Sequence, residues 1–180
     1  AYNSQLKPLK GKAEGKVLFP PMYCIHVEGN STVLQSSRQN EKEALVLADW
    51  LQQHKEHIIN KYDKSIEDVV GIITPFTAQK KCLQRILKEK GFNTDKMKIG
   101  TVHALQGAER KIVLFSMVYG EGDSAILFFD RENKPNMLNV AVSRAEDNFI
   151  VFANTKILNK QAKTPSGILA NYLTYTEFHS

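Results

Sequence analysis

Between Gly100 and Ser116 the chain reads GTVHALQGAERKIVLFS, which sets Thr101, His103, Gln106, Gly107 and Glu109 directly ahead of an apolar run. Polar loops held between buried strands are where binding and catalytic side chains gather, because the scaffold aims them while the loop stays free to vary. Two more segments have this character. ITPFTAQ (Ile73 to Gln79) carries Thr74, Pro75 and Gln79 and is followed by Lys80, and NVAVSRA (Asn139 to Ala145) carries Arg144. Arg144 has a planar, permanently charged head that takes two oxygens at once, and its neighbours are small and apolar, so it must find an anion. Phosphate and carboxylate meet that demand equally well, the nearby carboxylates being Glu109 and Asp147. The other residues have plain readings too: an exposed amide for Gln79, a packed imidazole for His103, and a partner for Arg110 or Lys111 in Glu109.

The motifs that are missing narrow the chemistry. A nucleoside triphosphatase needs G-x-x-x-x-G-K-[ST], whose backbone N–H groups and lysine cradle the phosphates. GKAEGK (Gly11 to Lys16) has the wrong spacing, no preceding strand and no hydroxyl after its lysine. No strand ends in paired acids that would hold magnesium, and neither G-x-G-x-x-G nor G-x-S-x-G occurs. What remains is a set of groups able to hold a phosphate without reacting with it.

These residues must be positioned by an alternation of short apolar runs and amphipathic stretches. YCIHV (Tyr23 to Val27), VVGIITP (Val69 to Pro75), MKIGTVH (Met97 to His103), KIVLFSMV (Lys111 to Val118) and NFIVFAN (Asn148 to Asn154) read as strands. A helix runs from a capping box at Asn40 and Glu43 to about Tyr62. A second, with Thr74 as cap and Pro75 in its first turn, runs to Gly91; Asn136 to Ala145 and Ser166 to Tyr172 are helical as well. Strands apolar on both faces and separated by helices imply an α/β fold, an open parallel sheet with helices on both faces. Such sheets bind ligands beyond the carboxyl ends of their strands. Residues 1–22, with Gly11, Gly15, Pro20 and Pro21 among lysines, read as an extended lead-in cut from something larger, and residues 23–180 as one domain.

The totals agree with one globular domain: 180 residues, 42% hydrophobic and 24% charged. No run approaches the roughly 20 apolar residues of a membrane span, and the first residues lack the apolar core of a signal peptide. A cytoplasmic, intracellular protein without a membrane partner is expected. Cys24 and Cys82 show no metal spacing and read as buried thiols, so no metal site is assigned. The net charge of +5 fits a nucleic-acid partner but also many other proteins.

In combination and in this order, ITPFTAQ, GTVHALQGAE and NVAVSRA resemble motifs IV, V and VI of the C-terminal RecA-like motor domain of superfamily 1 helicases. The branch is the one that contains the nonsense-mediated-decay helicase and its DNA-processing relatives. The resemblance covers residues 23 to 155 and implies a RecA-like fold without its P-loop. It implies that Arg144 is an arginine finger, reaching the γ-phosphate of ATP bound with Mg2+ mainly by an absent N-terminal RecA-like domain of the same full-length chain. Gln79, Lys80, Gln106, Gly107 and Glu109 would then face nucleotide, and Thr74, Pro75, Thr101 and His103 single-stranded nucleic acid. Lys80 stands where many relatives have arginine, and Glu146 where motif VI often continues with a cation. Two rivals accompany this expectation: a non-catalytic RecA-like module that only binds nucleic acid or protein, and a small-molecule enzyme using His103 and Glu109 as acid and base.

Overall fold

The computed structural model describes residues 8–9, 18–120, 122–123, 137–161 and 163–177. Most of the expected lead-in, and Asn136, lie outside the described residues. The strands are β1 (Met22–His26), β2 (Thr32–Leu34), β3 (Ser37–Gln39), β4 (Val70–Ile73), β5 (Ile99–Gly100), β6 (Arg110–Ser116), β7 (Ala145–Ala153) and β8 (Thr174–Glu177). The helices are α1 (Glu41–Tyr62), α2 (Ile66–Val69), α3 (Thr77–Glu89), α4 (Met137–Ser143) and α5 (Pro165–Tyr172). Six strands form one sheet in the order β5-β4-β6-β7-β1-β8, and every neighbouring pair is parallel. β2 and β3 form a separate antiparallel hairpin.

The period-two geometry of a strand sends alternate residues of the central β6 to opposite layers. Ile112 and Leu114 pack with Leu47, Leu51 and Ile58 of α1 and Leu83 and Leu87 of α3. Val113 and Phe115 pack with Leu138 and Val142 of α4 and Leu169 of α5. The expected open parallel α/β sheet, helices on both faces, is the fold observed. Each fully buried Leu, Ile or Phe contributes about 1.5–3 kcal/mol, which is why β6 and β7 read so clearly as apolar runs.

Some boundaries differ from expectation, for physical reasons. Thr74 still belongs to the sheet, where its N–H donates to the Gly100 carbonyl at 3.0 Å. α3 therefore starts at Thr77 with Phe76 at its N-cap. The strand expected over Met97–His103 shrinks to Ile99–Gly100, because Val102–Leu105 coil into a 3-10 turn. That turn fits only because two glycines leave room beneath it. A Cβ on Gly71 would stand 2.8 Å from Leu105 Cδ1, and one on Gly100 would stand 2.7 Å from Ala104 Cβ. β7 begins at Ala145, three residues earlier than expected, which leaves Arg144 alone in the turn between α4 and β7.

Candidate functional site

In a parallel sheet all carboxyl ends lie along one edge, and the expected site residues divide between the two edges. Ile73 is level with Gly100 and Phe115, whereas Arg110 is level with Ala145. Thr74, Pro75, Thr101 and His103 thus follow the carboxyl ends of β4 and β5. Glu109 and Arg144 precede the amino ends of β6 and β7, about 20 Å away at ~3.3 Å per residue. The segment from Thr101 to Glu109 spans that distance, running back along the sheet face with Leu105 seated over Gly71. Of the three polar segments, only the first and the start of the second therefore lie beyond the carboxyl ends, where open parallel sheets bind ligands.

At the amino edge the structure brings Arg144 and Glu109 together. Arg144 Nη1 lies 3.7 Å from Glu109 Oε1, the arginine side chain being 18% exposed and the glutamate 48%. Well-formed arginine–carboxylate pairs are bidentate and close to about 2.8 Å. This contact is loose, and Arg144 Nε is buried without a partner among the described residues. The Arg110 N–H donates to the Arg144 carbonyl at 2.9 Å, fixing the backbone on which the guanidinium stands. Asp147, the other candidate partner, instead accepts from the Tyr62 hydroxyl at 2.6 Å, and Lys111 takes Glu146 at 2.6 Å. Gln106 and Gly107 are exposed on the approach to this edge, and Gly107 takes φ +75°, which suits glycine. The cations here suit an anionic phosphate. Among the described residues no group of three or more His, Cys, Asp or Glu side chains gathers as a metal site would.

At the carboxyl edge Thr101 is half-buried and His103 exposed. Thr74 is buried, its Oγ1 having no partner among the described residues. Gln79 lies wholly inside: its amide donates to the Asn40 carbonyl and to Ser116 Oγ, both at 3.0 Å, and accepts from the Asn40 N–H at 2.9 Å. Both amide hydrogens are occupied within the fold, and no free face of the group meets a ligand. The Lys80 stem passes 4.0 Å from where a Cβ on Gly100 would lie, which sets it beside Thr101 and far from Arg144. Neither residue of this pair joins the Arg144 cluster.

Comparison with known proteins identifies the family. A family model described as an AAA domain matches residues 2–156. The chain belongs to that family. It is 29% identical over 131 residues to the DNA polymerase alpha-associated DNA helicase A of Saccharomyces cerevisiae, covering 72% of this chain and 17% of that protein. It is 34% identical over 108 residues to the putative regulator of nonsense transcripts 1 of Takifugu rubripes, covering 58% of this chain and 10% of that protein. It is 31% identical over 113 residues to the ATP-dependent helicase upf1 of Schizosaccharomyces pombe, covering 59% of this chain and 12% of that protein. The chain is a C-terminal helicase domain of this branch of superfamily 1, and it spans less than a fifth of each of these three relatives. No helix among the described residues is long and apolar enough to cross a membrane.

The helicase domain also contains a polar network that the sequence reading missed. Asn40 caps α1 as expected, accepting from the Glu43 N–H at 3.0 Å. The Glu43 carboxylate does not return to the helix end but turns into the core. There Ser116 Oγ donates to it at 2.6 Å and the Val118 N–H at 2.7 Å. Burial raises this carboxyl to about 8. Val118 has φ +77°, and the Tyr119 N–H reaches back to the Met117 carbonyl at 3.0 Å, which makes a γ-turn of the strained, positive-φ kind. A β-branched residue held there costs about 1–3 kcal/mol and persists only where its surroundings over-determine it. Glu43 holds the Val118 N–H, and Asn40 Nδ2 donates to its carbonyl at 2.8 Å. The available signal was periodicity: Glu43 falls on the α1 face that carries Leu47, Trp50 and Leu51.

Proposed function

We propose that this chain is the second motor domain of an ATP-dependent helicase or translocase. The observation that carries the reading is the loose Arg144–Glu109 contact at the amino edge, with one guanidinium nitrogen buried and without a partner among the described residues. An arginine held 3.7 Å from a half-exposed acid exchanges that acid for a phosphate with little loss. ATP, bound with Mg2+ mainly by a companion N-terminal RecA-like domain, supplies the phosphoryl group whose transfer to water drives the cycle. Arg144 stabilises the charge on that group and is worth roughly 10³ in rate. Glu109, freed from Arg144, accepts hydrogen bonds from ribose hydroxyls, and Gln106 and Gly107 complete that side.

Thr101, His103 and the chain at Thr74 and Pro75 contact the backbone of single-stranded nucleic acid, and Lys80 adds a cation on the same side. One continuous segment joins the two groups. A shift of Glu109 on nucleotide binding reaches Thr101 through Leu105 and its seat over Gly71, so grip on the strand follows nucleotide state. Closing and reopening the two domains then advances the motor.

Two measurements on the purified chain test this reading. With ATP and single-stranded nucleic acid it should show no turnover, and at low salt it should bind the single strand in a salt-dependent way. ATP hydrolysis by the chain alone, or no affinity for single strands, would overturn it.

A further inference from the structure

A cavity of about 850 Å³ opens between the β2–β3 hairpin and the start of α3. We propose that it takes one nucleotide of a single strand, with the base against the Arg38 guanidinium and the phosphate at Lys81. This rests on the reading that the carboxyl edge carries the strand.

The lining chemistry argues for that occupant. It holds two cations, Arg38 and Lys81, the hydroxyls of Ser36, Ser37 and Thr77, and the rings of Phe76 and Tyr119, and among the described lining residues none is acidic. Arg38 lies over the Tyr119 ring, its Cζ 4.9 Å from the centroid. Its head is pinned by Ser31 Oγ at 2.9 Å and Asp123 Oδ1 at 3.1 Å. Burial alone would raise the Asp123 carboxyl, but hydrogen bonds from the Gly120 and Ser31 backbone N–H groups and the Ser31 hydroxyl, together with the Arg38 charge, hold it below the usual range. A guanidinium held over a ring by fixed partners is a planar cation set in place, and guanidinium planes stack bases without regard to sequence. Val33, paired with Arg38 across the hairpin, and Leu34 are 60% and 44% exposed, apolar surface at the cavity for a base to rest against.

The cavity is also built in advance. The Ala78 N–H donates to Ser37 Oγ at 3.0 Å, tying the hairpin to α3. The strained turn at Val118 sets Tyr119 beneath Arg38, with Phe76 against its edge at 5.5 Å between centroids. Backbone strain of this sort clusters where a side chain must be aimed. The location is continuous with the proposed track, since Pro75 lies in the wall and Thr101 follows the neighbouring strand, β5.

The test walks one abasic residue along a short oligouridylate or oligothymidylate and measures affinity for the chain by fluorescence anisotropy. Wild type should show one position where base removal weakens binding about 5- to 150-fold. In Arg38→Lys, which keeps the charge but not the plane, that position-specific loss should vanish. Leu34→Asp should weaken binding of the intact strand, and Lys81→Ala should lower the slope of log affinity against log salt by about 0.7 while leaving the abasic profile in place. Circular dichroism confirms that each variant is folded. Binding that persists with a flat abasic profile sinks the cavity proposal alone. A wild-type peak unchanged in Arg38→Lys and Leu34→Asp sinks it too. No binding at low salt removes the assignment of the whole edge with it.

Discussion

Replacing Glu43 by Gln keeps the side-chain size and the oxygen that accepts from Ser116 and Val118, and abolishes the titration. Burial raises the Glu43 carboxyl from 4.5 to about 8, against the pull of hydrogen bonds from Ser116, Val118 and Met117. With the folded-state value above the unfolded one, folding takes up a proton between them. The stabilisation is full below about pH 4.5 and is lost as pH rises toward about 8, then levels off. A shift of about 3.5 pH units at roughly 1.4 kcal/mol each caps the loss near ~5 kcal/mol, and we expect ~2–5 kcal/mol. The assay is equilibrium urea unfolding of wild type and Glu43→Gln at about pH 5 and about pH 9. Glu43 also pushes up the neighbouring Cys24 thiol, but burial is the larger cause there and persists in the variant, so the difference between the two proteins reports chiefly on Glu43. The variant should gain ~2–5 kcal/mol on wild type between the two pH values. Parallel stability curves would refute the reasoning.

Other substitutions probe the close approaches that shape the edges. Gly120→Ala would set a Cβ 1.9 Å from the Gly29 carbonyl oxygen and 2.5 Å from Asn30 Cα, both backbone atoms that cannot step aside. It should destabilise by at least ~2 kcal/mol in denaturant melts. Gly107→Ala meets nothing among the described residues within 4 Å and has only its φ of +75° to strain it, so it should cost about 1 kcal/mol in the same assay. Tyr62→Phe removes the donor to Asp147, whose other oxygen already lacks a partner among the described residues. Leaving that carboxylate unmet should cost ~1–3 kcal/mol by urea titration at neutral pH.

The sheet was legible because its central strands are buried on both faces. Ile112 to Phe115 and Phe149 to Phe152 have no polar break, and only a parallel sheet between helix layers tolerates that. The β2–β3 hairpin escaped notice because all its residues are exposed or half-buried, so STVLQSSRQ carries no buried alternation to read. Val102 and His103 resembled a continuation of the preceding strand for the opposite reason: Val102 is buried, but it belongs to a coiled turn whose Leu105 seat depends on Gly71, distant in sequence. The Arg144–Glu109 pairing was visible as one of two options, while its edge was not, since it follows from the Arg110–Ala145 register that folding alone sets. Gln79 looked like a surface amide at a helix start. Its burial depends on Asn40 and Ser116, each more than thirty residues away.

The central claim is that Arg144 acts on a nucleotide held by a companion domain. The most direct measurement is single-turnover ATP hydrolysis, alongside equilibrium binding of a non-hydrolysable ATP analogue, by the full-length protein with Arg144→Ala. The hydrolysis rate should fall roughly 10³-fold while analogue affinity changes little. Wild-type hydrolysis in that variant would contradict the account and leave Arg144 as no more than a loose partner of Glu109.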